Sequence, residues 1–498
     1  MLGRAFRQLQ KLAAASSKPR PGPAHRPAAM TDTNTTSLAG VTKENENAKT
    51  ETAKIPPAEL DLSYVSKSKK RYAILFGYSG IGYYGLQIQP EVVTIESTLE
   101  DAITKTGVIR KENEGELQKV GWSRAARTDK SVHALGQVVS LQLLVKPEEA
   151  EIEKFRAALN AQLPDSIRVF GVQRTTKSFN AKSACSGRKY EYLIPTFMLT
   201  VSDDLLAEAA KLADSAAETT SAQGENQEMA KSSINETDVL VKQSELLRSK
   251  APAFDAASKK HLEDILGCFV GTKSFHNFTP RMAGNDPRAQ RYIVGINVDG
   301  PFEIEGLEMV RVNIEGQSFM LNQIRIMIAA AMEIARRGLD GPEVINKLLD
   351  KENMFSIVMS PGEGLALRAC LYDFYNTKFG SDFKEGKATP QNMYDSIQFE
   401  TGRVAEEANA FRTDHIYPII ARQEVREGVF TKWLLQSRER PFPPPPSNSQ
   451  LDYENYKEKL KDNKRQFEEK RRKENKRNAD TPVDDLHKEV MSFLTSKR

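Results

Sequence analysis

At 498 residues, with 39% hydrophobic and 28% charged side chains, the chain has room for two compact lobes and polar appendages. No apolar run approaches the roughly 18 residues of a membrane span, and a net charge of +4 is too mild to mark a nucleic-acid binder by itself, so any basic surface has to be local. Cys185, Cys268 and Cys370 stand far apart without metal-ligand spacing. That argues against a zinc site or a disulfide framework and fits small buried hydrophobes in a reducing compartment. No metal or cofactor is expected.

Residues 1–30 lack acids and space six Lys and Arg among Ala, Leu, Phe and Ser, the make-up of a mitochondrial presequence. Met30 offers a second start without it. Residues 31–68 are polar and expected to be a disordered linker. The run 72–78 reads as a buried strand, and Gly80, Gly82 and Gly85 follow in a tight loop that lacks the Gly-Lys-Ser/Thr of a phosphate loop. Thr94 caps a helix with Ile95, Leu99 and Ile103 on one face and Glu96 and Glu100 favouring its first turns. The polar loop 121–137 then runs into an alternating strand through Val138, Leu141 and Leu143.

Further elements follow in order: a helix at 149–163, strands at 167–172 and 188–194, a helix at 258–269, strands at 290–299 and 308–315, helices at 318–337 and 341–349, and a strand at 365–372. The segment 198–250, rich in Ala, Ser, Glu and Lys, reads as an exposed, partly helical insertion. The two halves share a strand, helix and paired-strand plan. This predicts an α+β protein of two related lobes with an RRM/ferredoxin-like plan, joined through a mixed, mostly antiparallel sheet flanked by helices, with a basic cleft between the lobes. The expected divisions are 69–197 and 256–376 for the lobes, with 198–255 inserted between them. A helical extension at 377–440, packed on the second lobe, is followed by a Pro-rich spacer and basic tail at 441–498. The tail suits nuclear import, RNA phosphates or a solvated charged helix.

On composition alone, Arg127-Thr128-Asp129-Lys130 is a solvated turn. In context, Arg127 to Ala134 followed by Gln137-Val138 resembles the R-T-D-x-x-V-H-A signature of the TruA-type tRNA pseudouridine synthases. The Ser123-Arg124-Ala125-Ala126 lead-in resembles the eukaryotic branch that acts in nuclei and mitochondria. Other segments are similar to family landmarks in the same order: Gly80 to Gln87, Leu163 to Arg168, Phe179 to Lys182, Arg188 to Tyr192, Gly267 to Phe278, Gly316 to Arg325 and Pro361 to Leu367. Departures stand at Leu86, Asn180, Lys182 and Lys273-Ser274.

The resemblance implies isomerisation of uridine to pseudouridine in tRNA, with small nuclear and messenger RNA as further substrates. Asp129 would be the essential carboxylate, either attacking the ribose or abstracting a ribose proton. Arg325 would pair with it and hold it ionised in a dry pocket, and Tyr190 would stack on the uracil or take the C5 proton. Arg127 would fill the place left by the extruded base. Arg124, Lys130, His133 and Lys189 complete the expected substrate-binding set. The alternative is an RNA-binding or RNA-folding protein on the same scaffold with its chemistry lost. A metal hydrolase lacks the clustered carboxylates or histidines it needs.

Overall fold

The computed structural model describes residues 62–221, 236–380, 394 and 396–444. The expected presequence, most of the expected linker and the charged tail lie outside the described residues. Among the described residues nine strands form one open sheet: β1 (Val65–Tyr78), β2 (Ser123–Arg124), β3 (His133–Val145), β4 (Ile167–Arg174), β5 (Gly187–Pro195), β6 (Gly271–Ser274), β7 (Gln290–Ile304), β8 (Leu307–Gly316) and β9 (Leu365–Leu371). Their order is β4-β1-β3-β9-β5-β8-β7-β6, with β2 added on β3. Every pairing is antiparallel except β3 with β9, where His133 faces Ala366 and Ala134 faces Leu367. The fold is α+β with a mixed, mostly antiparallel sheet.

Two strands differ from the sequence expectation in an informative way. β1 begins at Val65, inside the stretch assigned to the linker; its first residues are polar and partly exposed, so no apolar run marks them. β5, grouped by chain order with the first lobe, is paired between β9 and β8. Periodicity identifies a strand but not its neighbours, and the strand carrying Tyr190 belongs by hydrogen bonding to the second half of the sheet.

The main helices are α1 (Ile95–Lys105), α2 (Glu149–Ala161), α3 (Asp203–Ser221), α4 (Glu236–Lys250), α5 (Ala256–Gly267), α6 (Gln323–Arg336), α7 (Gly341–Leu349), α8 (Asp373–Phe379), α9 (Gly402–Phe411), α10 (Tyr417–Glu427) and α11 (Val429–Arg438). Thr94 caps α1 in a capping box with Ser97. Glu96, expected only to complement the helix dipole, is fully buried. The helix predicted over 318–337 starts at Gln323 because Asn322 adopts φ 61°, a left-handed conformation that a helix cannot continue through. Phe319 and Asn322 therefore sit on a turn.

The C-terminal extension does not pack on the second lobe alone. α9 lies on β4, β1 and β3, with Phe411 edge-on to Phe170 at 5.8 Å, while α10 contacts β7. The insertion is not simply exposed either: α3 and α4 pack against α10 and α11, burying Leu206, Ala209 and Leu247. Glu424 of α10, fully buried, accepts from Ser244 Oγ of α4 at 2.6 Å and from the Phe430 and Thr431 amides of α11. Those donors replace the water it lost. The Ala-rich composition hides this packing, since small side chains blur the helical period. Of the cysteines, only Cys370 is buried; Cys185 and Cys268 are half-buried.

Candidate active site

The loop between β2 and β3 is fixed from behind. Gly80 and Gly85 bring the β1–α1 loop against it so closely that a Cβ at Gly80 would lie 2.3 Å from Val132 O, and one at Gly85, where φ is +86°, 2.8 Å from Thr128 O. The Leu86 amide donates to Thr128 O at 3.2 Å, and the Val132 amide closes a turn on Asp129 O at 3.2 Å with Ser131 at φ 64°. Tyr78, at the end of β1, hydrogen-bonds Thr128 Oγ1 at 2.8 Å. Gln137 meets both the amide and the carbonyl of Ala126. Gly80→Ala is expected to shift backbone rather than a flexible side chain, costing ~1–3 kcal/mol of stability and at least about tenfold in turnover. Thermal melting and single-turnover assays check it, and wild-type behaviour in both would count against this packing.

Asp129 opens into a cavity of about 700 Å³, a size suited to a small ligand or nucleotide. Tyr190 and Arg325 line it too, as do Arg124 and Arg127. The cavity thus gathers side chains from the β2–β3 loop, from β5 and from the start of α6. Arg124, Arg127, Lys182, Arg188 and Arg325 make five cations on its wall against the single carboxylate of Asp129. That balance favours a polyanion.

The expected ion pair is looser than the sequence suggested. Asp129 and Arg325 share the cavity, but no direct ion pair joins them: the Arg325 Nε donates to Ser360 O at 2.7 Å, with its head beside Gly362. Burial raises the Asp129 carboxyl above its ordinary 3.8, and the charge of Arg325 opposes this without overcoming it. Tyr190 is buried and edge-on to Phe319 at 5.2 Å. Burial, reinforced by Cys370 and opposed by Arg188, raises its phenol, so it is a protonated hydroxyl at neutral pH.

Other expected contacts are placed differently. His133 is fully buried away from the cavity; its Nδ1 accepts from the Gly80 amide at 3.2 Å, which leaves Nε2–H to donate to Glu363 O at 3.0 Å. It ties the glycine loop to the segment before β9. Lys189 points to the other side of the sheet from Tyr190, as alternation in a strand requires, and pairs there with Glu400 and with Glu315 at 3.7 Å. Lys130 lies off the cavity wall with its Nζ 4.5 Å from the centre of the Tyr84 ring. Arg124 lines the cavity yet is anchored to buried Glu96, which also accepts from Trp122 Nε1 at 2.9 Å. Arg127 is exposed at the mouth.

Arg188 and Lys182 were missed. Arg188 donates to Ala125 O at 2.8 Å and to Gln317 O at 3.1 Å, spanning the two sides of the cavity. The period of two that set Tyr190 inward could have selected Arg188 over Lys189.

Neutral His133 also predicts a pH dependence. Burial pushes its pKa down from 6.5 to about 4, so the unfolded chain binds a proton that the folded one refuses. Its contribution is complete above the unfolded value and declines as pH falls from about 6.5 towards 4, by about 3 kcal/mol in total. Urea midpoints at pH 7.5 and 5 should separate more for wild type than for His133→Asn; equal separations would contradict the buried neutral ring.

A sequence model of the family described as tRNA pseudouridine synthase matches residues 267–373. The chain is 33% identical over 405 residues to tRNA pseudouridine synthase 1 of Yarrowia lipolytica, covering 74% of each chain. It is 35% identical to tRNA pseudouridine synthase 1 of Kluyveromyces lactis, covering 74% of this chain and 69% of that one. It is 32% identical to the human Pseudouridylate synthase 1 homolog, covering 72% and 71%. Matches of this identity and extent, together with a carboxylate, a tyrosine and an arginine lining one cavity, show that the chain belongs to the tRNA pseudouridine synthase family.

Proposed function

We propose that this cavity isomerises uridine to pseudouridine in tRNA, with Asp129 as the essential group. Membership of the family makes the chain an isomerase acting on RNA. The observation that carries the residue assignment is that, among the described residues, Asp129 is the only carboxylate on the wall of a cavity otherwise rich in cations. The N1–C1′ bond of the nucleotide breaks, the uracil turns, a C5–C1′ bond forms, C5 loses its proton and N1 gains one. No electrons leave or enter, so a positioned carboxylate and exclusion of water suffice.

Arg325 moderates the charge cost of keeping Asp129 ionised. Tyr190 offers its ring to the uracil, a contact worth about 1–3 kcal/mol. Because its phenol is held protonated, it can accept the C5 proton only by passing its own onward. Arg127, exposed at the mouth, occupies the gap left by the extruded base; a planar guanidinium suits stacking. Arg188 and Lys182 add phosphate contacts, which position the RNA without reading its sequence. The deciding experiment is pseudouridine formation on a tRNA transcript by the wild type and by variants of Asp129.

Action on other structured RNAs, and placement in the nucleus and mitochondrion, form the wider proposal. The first rests on recognition by shape and phosphates, the second on the basic acid-free segment 1–30 and the cationic tail. Pseudouridine mapping across transcripts and imaging of tagged chains with and without residues 1–29 test them.

A further inference from the structure

The turn between β8 and α6 presents an aliphatic side chain to solvent at the mouth of the active-site cavity: Leu321 is 61% exposed and lines that cavity. A single exposed leucine is ordinary, but this one is held out by buried groups. Thr279 Oγ1 donates to Leu321 O at 2.9 Å, the Met320 amide donates to the fully buried Gln323 Oε1 at 2.9 Å, and the Gln323 amide donates back to Met320 O at 3.2 Å. The next residue, Asn322, takes φ 61° to start α6, a conformation that costs a non-glycine residue free energy. The turn is therefore fixed by its surroundings, and its exposed member is apolar.

Arg127 reaches the same mouth from the loop before β3, and β9 and β5 lie between β3 and β8. A guanidinium and an aliphatic side chain thus flank the entrance from separate elements, with Asp129 and Tyr190 inside. A base leaving a stacked strand uncovers the flat faces of both its neighbours. Arg127, entering the gap from its own side of the mouth, stacks on one of them. The second needs an apolar surface, and side chains such as leucine serve as wedges between base steps.

Resting on the functional reading above, we propose that Leu321 is a specificity-determining wedge: it packs on the base adjoining the target uridine, opposite Arg127, and extends activity to RNA in which the target begins stacked. Arg325, four residues along the same segment, then meets the extruded nucleotide inside. The contact lowers the cost of extrusion and leaves the chemistry itself alone.

The test compares wild type, Leu321→Ala and Leu321→Met on a folded tRNA transcript and on the same RNA with the target unstacked by an adjoining abasic site. Leu321→Ala should lose about tenfold in kcat/KM on the folded substrate and less than about twofold on the unstacked one, with an unchanged melting temperature. Leu321→Met, of similar volume, should recover most of the loss. The fluorescence of 2-aminopurine beside the target should rise on binding wild type and rise less with Leu321→Ala. Equal losses on both RNAs, or no loss on either, overturn the wedge. A wild type that converts neither RNA sinks the functional reading instead.

Discussion

Asp129→Asn should reduce pseudouridine formation by at least ~10³-fold while leaving the dissociation constant for tRNA within about threefold, because phosphate contacts carry most of the affinity. The substitution preserves shape and removes the charge. Nothing in the fold depends on that charge: the turn holding residue 129 is built from backbone bonds at Leu86, Thr128 and Val132 and from the Tyr78–Thr128 contact. Release of tritium from uridine labelled at C5 measures turnover directly, since forming the C5–C1′ bond expels that hydrogen. Filter binding on the same transcript measures affinity. Residual turnover above about a tenth of wild type would remove Asp129 from the chemistry. Loss of affinity in parallel with turnover would point to a damaged site and not to a missing reactive group.

Local chemistry was the most legible part of this chain. Thr94 announced its helix, the run 72–78 announced a buried strand, and the residues around Asp129 pointed to the cavity, because capping, burial and a reactive loop are written in adjacent residues. What depended on partners distant in sequence was less legible. His133 carries the residue type of a ligand contact, but Gly80 and Glu363 claim both its ring nitrogens. Lys189 carries the charge of a phosphate contact, but the sheet turns it towards Glu400 and Glu315.

The same limit explains the insertion. The faces of α3 and α4 acquire meaning only against α10 and α11, which follow some two hundred residues later. It also explains Arg325: the resemblance pairs it with Asp129, yet its Nε–H donates to the carbonyl of Ser360 rather than to a carboxylate. Sequence gives the demand of a side chain, and folding decides who meets it.

That last placement changes what removal of Arg325 should do. Burial raises the carboxyl of Asp129 and the charge of Arg325 opposes it. In Arg325→Gln the opposition vanishes and the carboxyl rises further, so less of it is ionised at any given pH. The acid limb of kcat/KM should move to higher pH than in wild type, and turnover at pH 7 should fall by about 10²-fold, with part of the loss regained in alkaline buffer. Arg325→Lys keeps the positive charge but has no Nε–H to give Ser360 O. Its acid limb should stay near the wild-type position while turnover falls across the whole range, since the lysine cation is no longer held in place. If the limb of Arg325→Gln does not move, the guanidinium does not act through the ionisation of Asp129. Its part would then be confined to positioning through Ser360 and Gly362.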